Sequence, residues 1–561
     1  MGTFINKGNE GFQSAIESTY VDKTGLIGVI NKTLGTERRY TCVTRCRRFG
    51  KSIAAKMLCA YYDKSCDSRE LFDGLYISQP DKVVDGKMED KQFEKHLNKY
   101  PVISLDITDF TTKYVNDEKI VSRIQEEVIE DLLAAYPDTI RKDGQDLMDV
   151  LLNIHEAIDE KFIMIIDEWD AICREFVKKP EVMNSYVNLL RRLFKGGNSE
   201  RVFAGVYMTG ILPIKKYKTQ SALNNFEEYS MIDPFTLAGF FGFTQDEVKE
   251  IASEKGADMS ELQKWYDGYQ IGDEPSIYNP YSVMKAVSRK KYKSYWSATS
   301  AYDNVSTYIK MNFEGLKDDI VKMLAGGRCR VNTTKFQNDL HVITCKDDIL
   351  TVLIHLGYLA YDMDKEECYI PNKEVGIEMT NALEATDWKR LNDAIAASER
   401  LLADTLDMNA EAVARGIELT HDEETSILSY NDENSLACVL SIAYYYAKND
   451  YIMHRELIEQ REQSQTRLNS AESRQKKTEG QLATGKGFAD IVFIPRKSVD
   501  SPALLVELKC NKSADAAIDQ IKRKEYPAKV AEYTGDILLV GINYDRETKT
   551  HTCRIERYTK E

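Results

Sequence analysis

No CxxC pair occurs among the eleven cysteines, and the seven histidines show no ligand-like spacing. Structural zinc is therefore not expected, and the thiols read as free cysteines of a reducing cytosol. No apolar run reaches the ~18–20 residues that cross a bilayer. The opening residues, MGTFINKGNEGFQS, lack a basic stretch followed by an apolar one, so no signal peptide is read. Met1-Gly2 without a second membrane signal is not taken as a lipid anchor. These absences point to a cytoplasmic protein with no membrane partner. An excess of positive charge is also missing. A net charge of −15 argues against a protein that coats nucleic acid through a global field. A local basic groove remains compatible, since residues 508–530 hold six Lys or Arg against three Asp or Glu.

What is present is ordinary globular composition, 43% hydrophobic and 29% charged, on 561 residues, enough for several domains with sizeable cores. Continuous apolar runs at 39–44 (RYTCVT), 100–107 (YPVISLDI), 161–170 (KFIMIIDEWD) and 201–211 (RVFAGVYMTGI) read as buried strands, with helical patterns between them, such as 51–63. That alternation predicts a parallel α/β sheet with ligands at the carboxyl ends of its strands. Beyond residue 245 short amphipathic helices follow. Residues 349–375 read as helix, strand, polar turn and strand, compatible with a small winged-helix-like lid, and 376–425 read as helical. The chain then restarts with a helix at 433–449, a strand near 450–457, and a strand–strand–helix–strand succession ending in GDILLVGINY. Residues 458–484 are nearly devoid of large apolar groups and are expected to be a solvated helix or disordered.

Residues 44–52, TRCRRFGKS, end like a phosphate-binding loop but carry Arg45 where G-x-x-x-x-G-K-[ST] has its first glycine. In such a loop, backbone N–H groups and a helix N-terminus wrap phosphates. Lys51 would reach the β- and γ-phosphates and Ser52 would hold Mg²⁺, with Phe49 and Gly50 shaping the turn. Arg45, Arg47 and Arg48 are expected to point outward as phosphate or partner contacts. Gly-Lys-Ser alone is weak evidence. It is supported by Asp167 and Glu168 after FIMII, where Asp167 would join the Mg²⁺ shell and Glu168 would orient or deprotonate water. Thr209, closing FAGVYMT, would sense the γ-phosphate. A solvated carboxylate pair and a capping threonine are the plainer alternatives.

A second group of residues lies near the C-terminus. Asp490 closes GFAD before an apolar strand, and Glu507 and Lys509 sit two apart in LLVELK, on one face of a strand. Two carboxylates and a lysine suit hydrolytic metal chemistry: Asp490 and Glu507 as ligands of Mg²⁺ or Mn²⁺, Lys509 neutralising developing phosphate charge or helping to activate water. Gln520 and Glu433, on the following and preceding helices, are candidates to complete the pocket. Solvated, salt-bridged charges are the alternative. Arg191 and Arg192 are candidates for a trans-acting arginine finger, or simply a basic helix end.

Nine stretches tie the two sets together: YVDKTGLI (20–27), TRCRRFGKS (44–52), IDEWD (166–170), TGILPIKK (209–216), WYDGY (265–269), IYNPYSV (277–283), HLGYLAY (355–361), ENSLACVLSIAYYYA (433–447) and GKGFADIVFIP…LLVELK (485–509). On these, nearly the full length resembles the bacterial AAA-ATPase-like proteins that carry a C-terminal PD-(D/E)XK nuclease-superfamily domain. The resemblance implies an AAA-like P-loop ATPase domain over 1–240, a helical and winged-helix-like region over 241–424, and a nuclease-like α/β domain over 425–561 with 458–484 as an insertion. In that family arginine normally stands where Arg45 does, whereas Cys46 replaces a usual proline. The implied function is an ATP-driven, metal-dependent nuclease acting on DNA, in defence or in handling mobile elements, with homo-oligomerisation left open. The alternative is a nucleotide-gated regulator or signalling ATPase whose nuclease fold only binds.

Overall fold

The computed structural model describes all residues except 1, 18–19, 85–86, 140–145, 215, 218–219, 222, 297–306, 312, 325, 337–342, 385–388, 426–439, 441–442, 445–446, 448–450, 456–490, 496–500, 524–534 and 559–561. The chain forms two compact units, residues 1–314 with 328–379, and residues 315–327 with 380–561.

The first unit is built on five parallel strands: β1 (Tyr40–Thr44), β2 (Val102–Asp106), β3 (Phe162–Asp167), β4 (Phe203–Gly210) and β5 (Glu227–Tyr229), in the order β2-β3-β4-β1-β5. Every residue of β1, β3 and β4 is buried. Alternate side chains enter opposite cores, which a sheet covered on both faces requires. Phe162, Met164 and Ile166 of β3 join one cluster, and Ile163 and Ile165 join the other. The four expected strands are present with slightly shorter ends. The short edge strand β5 was not expected, because its three residues EEY carry too little apolar pattern to stand out. After β1 the chain turns through residues 45–50 into α1 (Lys51–Tyr62), and after β3 into the short α2 (Ala171–Glu175).

The same unit continues into α3 (Pro280–Arg289) and α4 (Lys346–Leu356). Helix α4 is followed by strands at Ala360–Asp362 and Glu367–Tyr369, which pair with each other, and the second also pairs with Cys329–Arg330. The helix, strand, turn and strand expected over 349–375 are therefore in place. Helix Lys373–Glu384 begins in the first unit and ends in the second, to which helices Lys389–Leu406 and Ala410–Thr425 belong.

The second unit holds a mixed sheet, β6 (Tyr451–Arg455), β7 (Ile491–Pro495), β8 (Ala503–Cys510), β9 (Ile537–Asp545) and β10 (Thr550–Tyr558), paired in that order. All pairs are antiparallel except β8 with β9, which are parallel and bridged by α5 (Ala514–Arg523). Strand β10 goes beyond the expected succession. Ala503 and Leu505 of β8 face α5 with its Ile518 and Ile521, while Leu504 and Val506 face the other core. Residues 458–484 and most of the expected helix 433–449 lie outside the described residues.

Candidate functional sites

In the first unit the strand-end residues converge. Gly50 caps α1 with φ +90°, a left-handed conformation that glycine takes without a side-chain clash. Lys51, the first residue of α1, is 4% exposed. Its Nζ donates to the Cys46 carbonyl at 3.2 Å and lies 3.4 Å from Glu168 Oε1. Ser52 is exposed beside it. Asp167 ends β3 and is buried. Its Oδ1 accepts from Thr209 Oγ1 at 3.2 Å, and Thr209 is fully buried on β4. Glu168 follows with φ +50°, a conformation uncommon for a residue with a side chain. The structure thus brings Lys51, Asp167, Glu168 and Thr209 together and sets Ser52 next to Lys51.

Three groups in this cluster escaped sequence reasoning. Asp170 is fully buried and accepts from the backbone N–H of Ile211 (3.1 Å) and Leu212 (2.9 Å), just past β4. Arg174, one turn on in α2, donates through Nε to Asp170 at 3.0 Å and through Nη2 to Glu168. Burial pulls the Arg174 guanidinium down, but the Asp170 and Glu168 carboxylates outweigh it and leave its pKa raised. Asp106 ends β2 as the register partner of Asp167 and caps the next helix by accepting from Thr108 N–H at 2.9 Å. Burial first, and the Asp167 charge second, push its carboxyl up to about 6. An acidic residue at the end of a buried strand was the available signal for Asp106. For Arg174 the signal was an Arg four residues after Asp170 in WDAICR.

The arginines of the loop correct the expectation that all three point outward. Arg45 is fully buried. Its Nη1 donates to the carbonyls of Thr44, Tyr229 and Ser230 at 2.8–2.9 Å, its Nη2 to that of Leu237 at 3.2 Å, and its guanidinium stands 5.4 Å from the Phe241 ring centroid. Burial lowers its pKa to about 10. A side chain committed to four backbone oxygens is a strut and not a phosphate contact; a guanidinium fills this place because it supplies five donors in a fixed fork. Arg48, with φ +69°, lies 3.6 Å above the Tyr281 ring of α3. Arg47 is partly buried; burial and then the repulsion of Arg174 lower its pKa.

The loop is held from outside the sheet as well. Phe49 is buried edge-on to Tyr269 at 5.3 Å, and its carbonyl accepts from Gly242 N–H at 3.0 Å. Cys46 is buried against Gly357, where an added Cβ would stand 2.5 Å from that of Cys46. Where proline would stiffen the chain, packing on Gly357 restrains it here. Burial pushes the Cys46 thiol up to about 12, so it is no thiolate near neutrality. Arg192, proposed from sequence as a finger, is engaged with Asp146 and Asp149 at 2.8 and 2.9 Å. Arg191 sits beside it near the end of the helix Pro180–Phe194.

In the second unit Glu507 is 1% exposed on β8. Lys509, two residues on, donates to Glu507 Oε1 at 2.7 Å and to the Leu508 carbonyl at 3.1 Å. Gln520 Nε2 of α5 also donates to Glu507 Oε1. The helix comes this close because Gly541, the register partner of Glu507, has no side chain; a Cβ there would meet the Ala514 carbonyl at 2.4 Å. Glu507, Lys509 and Gln520 therefore converge as the spacing predicts. Asp490 and Glu433 lie outside the described residues. Among the described residues no three His, Cys, Asp or Glu side chains gather as a metal-donor group. In the basic stretch at the end of α5, Lys522 pairs with Glu556, and Lys524 lies outside the described residues.

A Gly-Lys-Ser turn between a strand and a helix of a parallel sheet, facing an Asp-Glu pair at the end of a neighbouring strand, defines a P-loop ATPase-like domain. A mixed sheet carrying Glu-x-Lys beside a crossing helix is the second class. Sequence families agree: residues 8–219 match the predicted AAA-ATPase family, and residues 477–553 match the PD-(D/E)XK nuclease superfamily. The chain thus joins an AAA-ATPase-like region to a nuclease-superfamily region. The protein described as "Uncharacterized protein in vnfD 5'region" of Azotobacter chroococcum mcd 1 is 23% identical over 286 residues, 50% of this chain and 50% of that protein. The chain therefore matches about half the length of that curated relative. Two structures of the Aeropyrum pernix ORC2 protein, in ADPNP-ADP and ADP forms, align over 68% of this chain and 99% and 98% of theirs. Identity is 11% and TM-scores are 0.28 and 0.26, too low to bear on this chain. Among the described residues no helix is long and apolar enough to cross a membrane.

Proposed function

We propose that the protein binds and hydrolyses ATP in the first unit and that this activity governs a metal-dependent, DNA-cleaving centre in the second. The observation that carries the ATPase reading is Lys51: a cation 4% exposed at a helix N-terminus, within 3.4 Å of Glu168. A buried lysine so placed is suited to phosphate oxygens, which the α1 N-terminus also favours. Glu168 is the group to accept the proton of an attacking water, and Thr209 holds Asp167 in place for it. The donor set fits Mg²⁺ beside the nucleotide, with Ser52 and Asp167 as the residues that would hold it. The ion would neutralise developing phosphate charge.

In the second unit the Glu507 carboxylate and the Leu508 carbonyl offer the hard oxygen donors that Mg²⁺ or Mn²⁺ takes, with Asp490 as the second carboxylate. Lys509 reaches both Glu507 and Leu508, so it would hold positive charge where phosphate charge develops. A cytoplasmic protein acting on foreign or mobile DNA is the setting that this pairing of domains suggests. A second reading is a nucleotide-gated regulator whose nuclease fold only binds; the ties of both Lys509 and Gln520 to the same Glu507 oxygen favour it.

Incubating the full chain with several DNA forms, Mg²⁺ or Mn²⁺, with and without ATP, tests both. Cleavage that is lost in Lys509→Ala supports the nuclease reading. DNA binding without cleavage in the wild type supports the regulator. Light scattering with and without ATP tests whether nucleotide drives assembly into homo-oligomers.

A further inference from the structure

We infer that Arg174 is a positioning residue for ATP hydrolysis, an internal bracket that holds the Glu168 carboxylate toward the nucleotide. The inference rests on the ATPase reading and adds a residue to it. The geometry is a relay from the sheet to the base. The N–H groups of Ile211 and Leu212, immediately after β4, fix the fully buried Asp170. Asp170 fixes Arg174 through Nε at 3.0 Å, and Arg174 grips Glu168 through Nη2. Room for Asp170 comes from Gly210, where a Cβ would stand 2.5 Å from Asp170 Oδ1.

Glu168 therefore has two cations on its two oxygens, Lys51 on Oε1 and Arg174 on Oε2. They are not equivalent. Lys51 sits on a long single-point side chain and donates to the Cys46 carbonyl; phosphate is a competing partner for it. Arg174 is planar and anchored at its other edge, and its side chain is 11% exposed. When Lys51 turns to phosphate, Glu168 Oε1 is released to take a proton from water while Oε2 stays clamped. The proton passes from water to Glu168, and the hydroxide so formed attacks the γ-phosphorus with ADP leaving. Arg174 keeps its charge throughout.

A cis-acting arginine that itself touches phosphate would act differently, and so would a purely structural ion pair. The test is a double-mutant cycle on the full chain with Arg174→Met and Glu168→Gln, read by phosphate release and by ATP calorimetry. The expected result is a fall in kcat of roughly 10–100-fold for Arg174→Met. ATP affinity should stay within about 3-fold of wild type, because Arg174 acts through Glu168 and not through the nucleotide. Adding Arg174→Met to Glu168→Gln should cost nothing further, since the base it aims is already gone. Arg174→Lys, able to reach Glu168 or Asp170 but not to fork between them, should fall between Met and wild type. A further loss in the double variant, or a collapse of ATP affinity in Arg174→Met, would overturn the bracket in favour of direct phosphate contact. If wild type turns over ATP and Arg174→Met equals it, the bracket alone falls. If wild type binds no ATP at all, the ATPase reading falls and the bracket with it.

Discussion

The two sites are held in opposite ways. In the first unit each group of the site is tied to a neighbour on a different element: Lys51 on α1, Asp167 at the end of β3, Glu168 just after it, Thr209 on β4, Arg174 on α2. Positive φ is held at both Arg48 and Glu168, and the loop is gripped by Arg45 from within and Phe49 from without. In the second unit the described groups form a compact cluster, Lys509 and Gln520 both on one oxygen of Glu507. A distributed network keeps its geometry when one member changes partner, as phosphate binding demands. A compact set must be opened by its ligand. The first can exchange one partner without losing its frame, and the second has to be opened by any ligand it takes.

The largest break in this comparison is Lys51→Ala. Removing the buried cation deprives phosphate of its point charge and leaves Glu168 with one fewer partner. ATP affinity should fall by at least ~100-fold, in line with the few kcal/mol that breaking a buried charge pair costs. Calorimetry checks it, and equal affinity in wild type and variant would refute the site. Lys509→Ala comes next. Cleavage should drop by roughly 100-fold, the scale of a lost electrostatic stabiliser. Mn²⁺ binding should persist, because lysine is no ligand. Cleavage at the wild-type rate in this variant would show that the Glu507 cluster is not a catalytic centre.

Much of this was legible before folding was considered. The buried strands announce themselves because a sheet covered on both faces needs continuous apolar runs, and Lys51, Asp167 and Thr209 stand at their ends. Glu507 and Lys509 were readable from a period of two. Arg45 was misread because charge in a sequence carries no direction: an arginine beside Gly-Lys-Ser suits a phosphate or four backbone carbonyls equally well, and only the placement of Tyr229, Ser230 and Leu237 decides. Asp170 was missed because its partners, the N–H groups of Ile211 and Leu212, lie 41 and 42 residues away and have no side-chain signature; Arg174 was passed over because an Asp and an Arg four apart read as an ordinary helix-surface pair. Strand β5 was missed because its pairing with β1, and not its own composition, makes it a strand.

Arg45→Met sharpens the comparison by weakening the first site without touching a phosphate-facing group. Methionine fills similar volume but supplies no donors, so the carbonyls of Thr44, Tyr229, Ser230 and Leu237 lose their partner. Unsatisfied buried acceptors cost about 1–3 kcal/mol each when isolated, and relief from burying a charge offsets part of the sum. A net loss of about 2–3 kcal/mol is expected, read as a lower midpoint of thermal unfolding for the first unit. An unchanged midpoint would mean that the strut is dispensable and would return Arg45 to the list of ligand contacts.

The smallest effect concerns Asp106, and its sign is specific. Its carboxyl is pushed up to about 6 from 3.8, burial contributing most and the Asp167 charge next. The native state therefore binds this proton more tightly than the unfolded chain. The resulting stability is fully present below pH 4 and is lost as pH rises through 6. At pH 7.5 the ionised group is a burden that Asp106→Asn removes, while asparagine keeps the oxygen that caps Thr108 N–H. Because the carboxyl is only part-buried, solvent screening reduces the benefit to about 1 kcal/mol. Thermal midpoints at pH 7.5 and pH 4.5 should show Asp106→Asn above wild type at the first and level with it or below at the second. A pH-independent gap between the two proteins would mean that neither burial nor the Asp167 charge raises the Asp106 carboxyl.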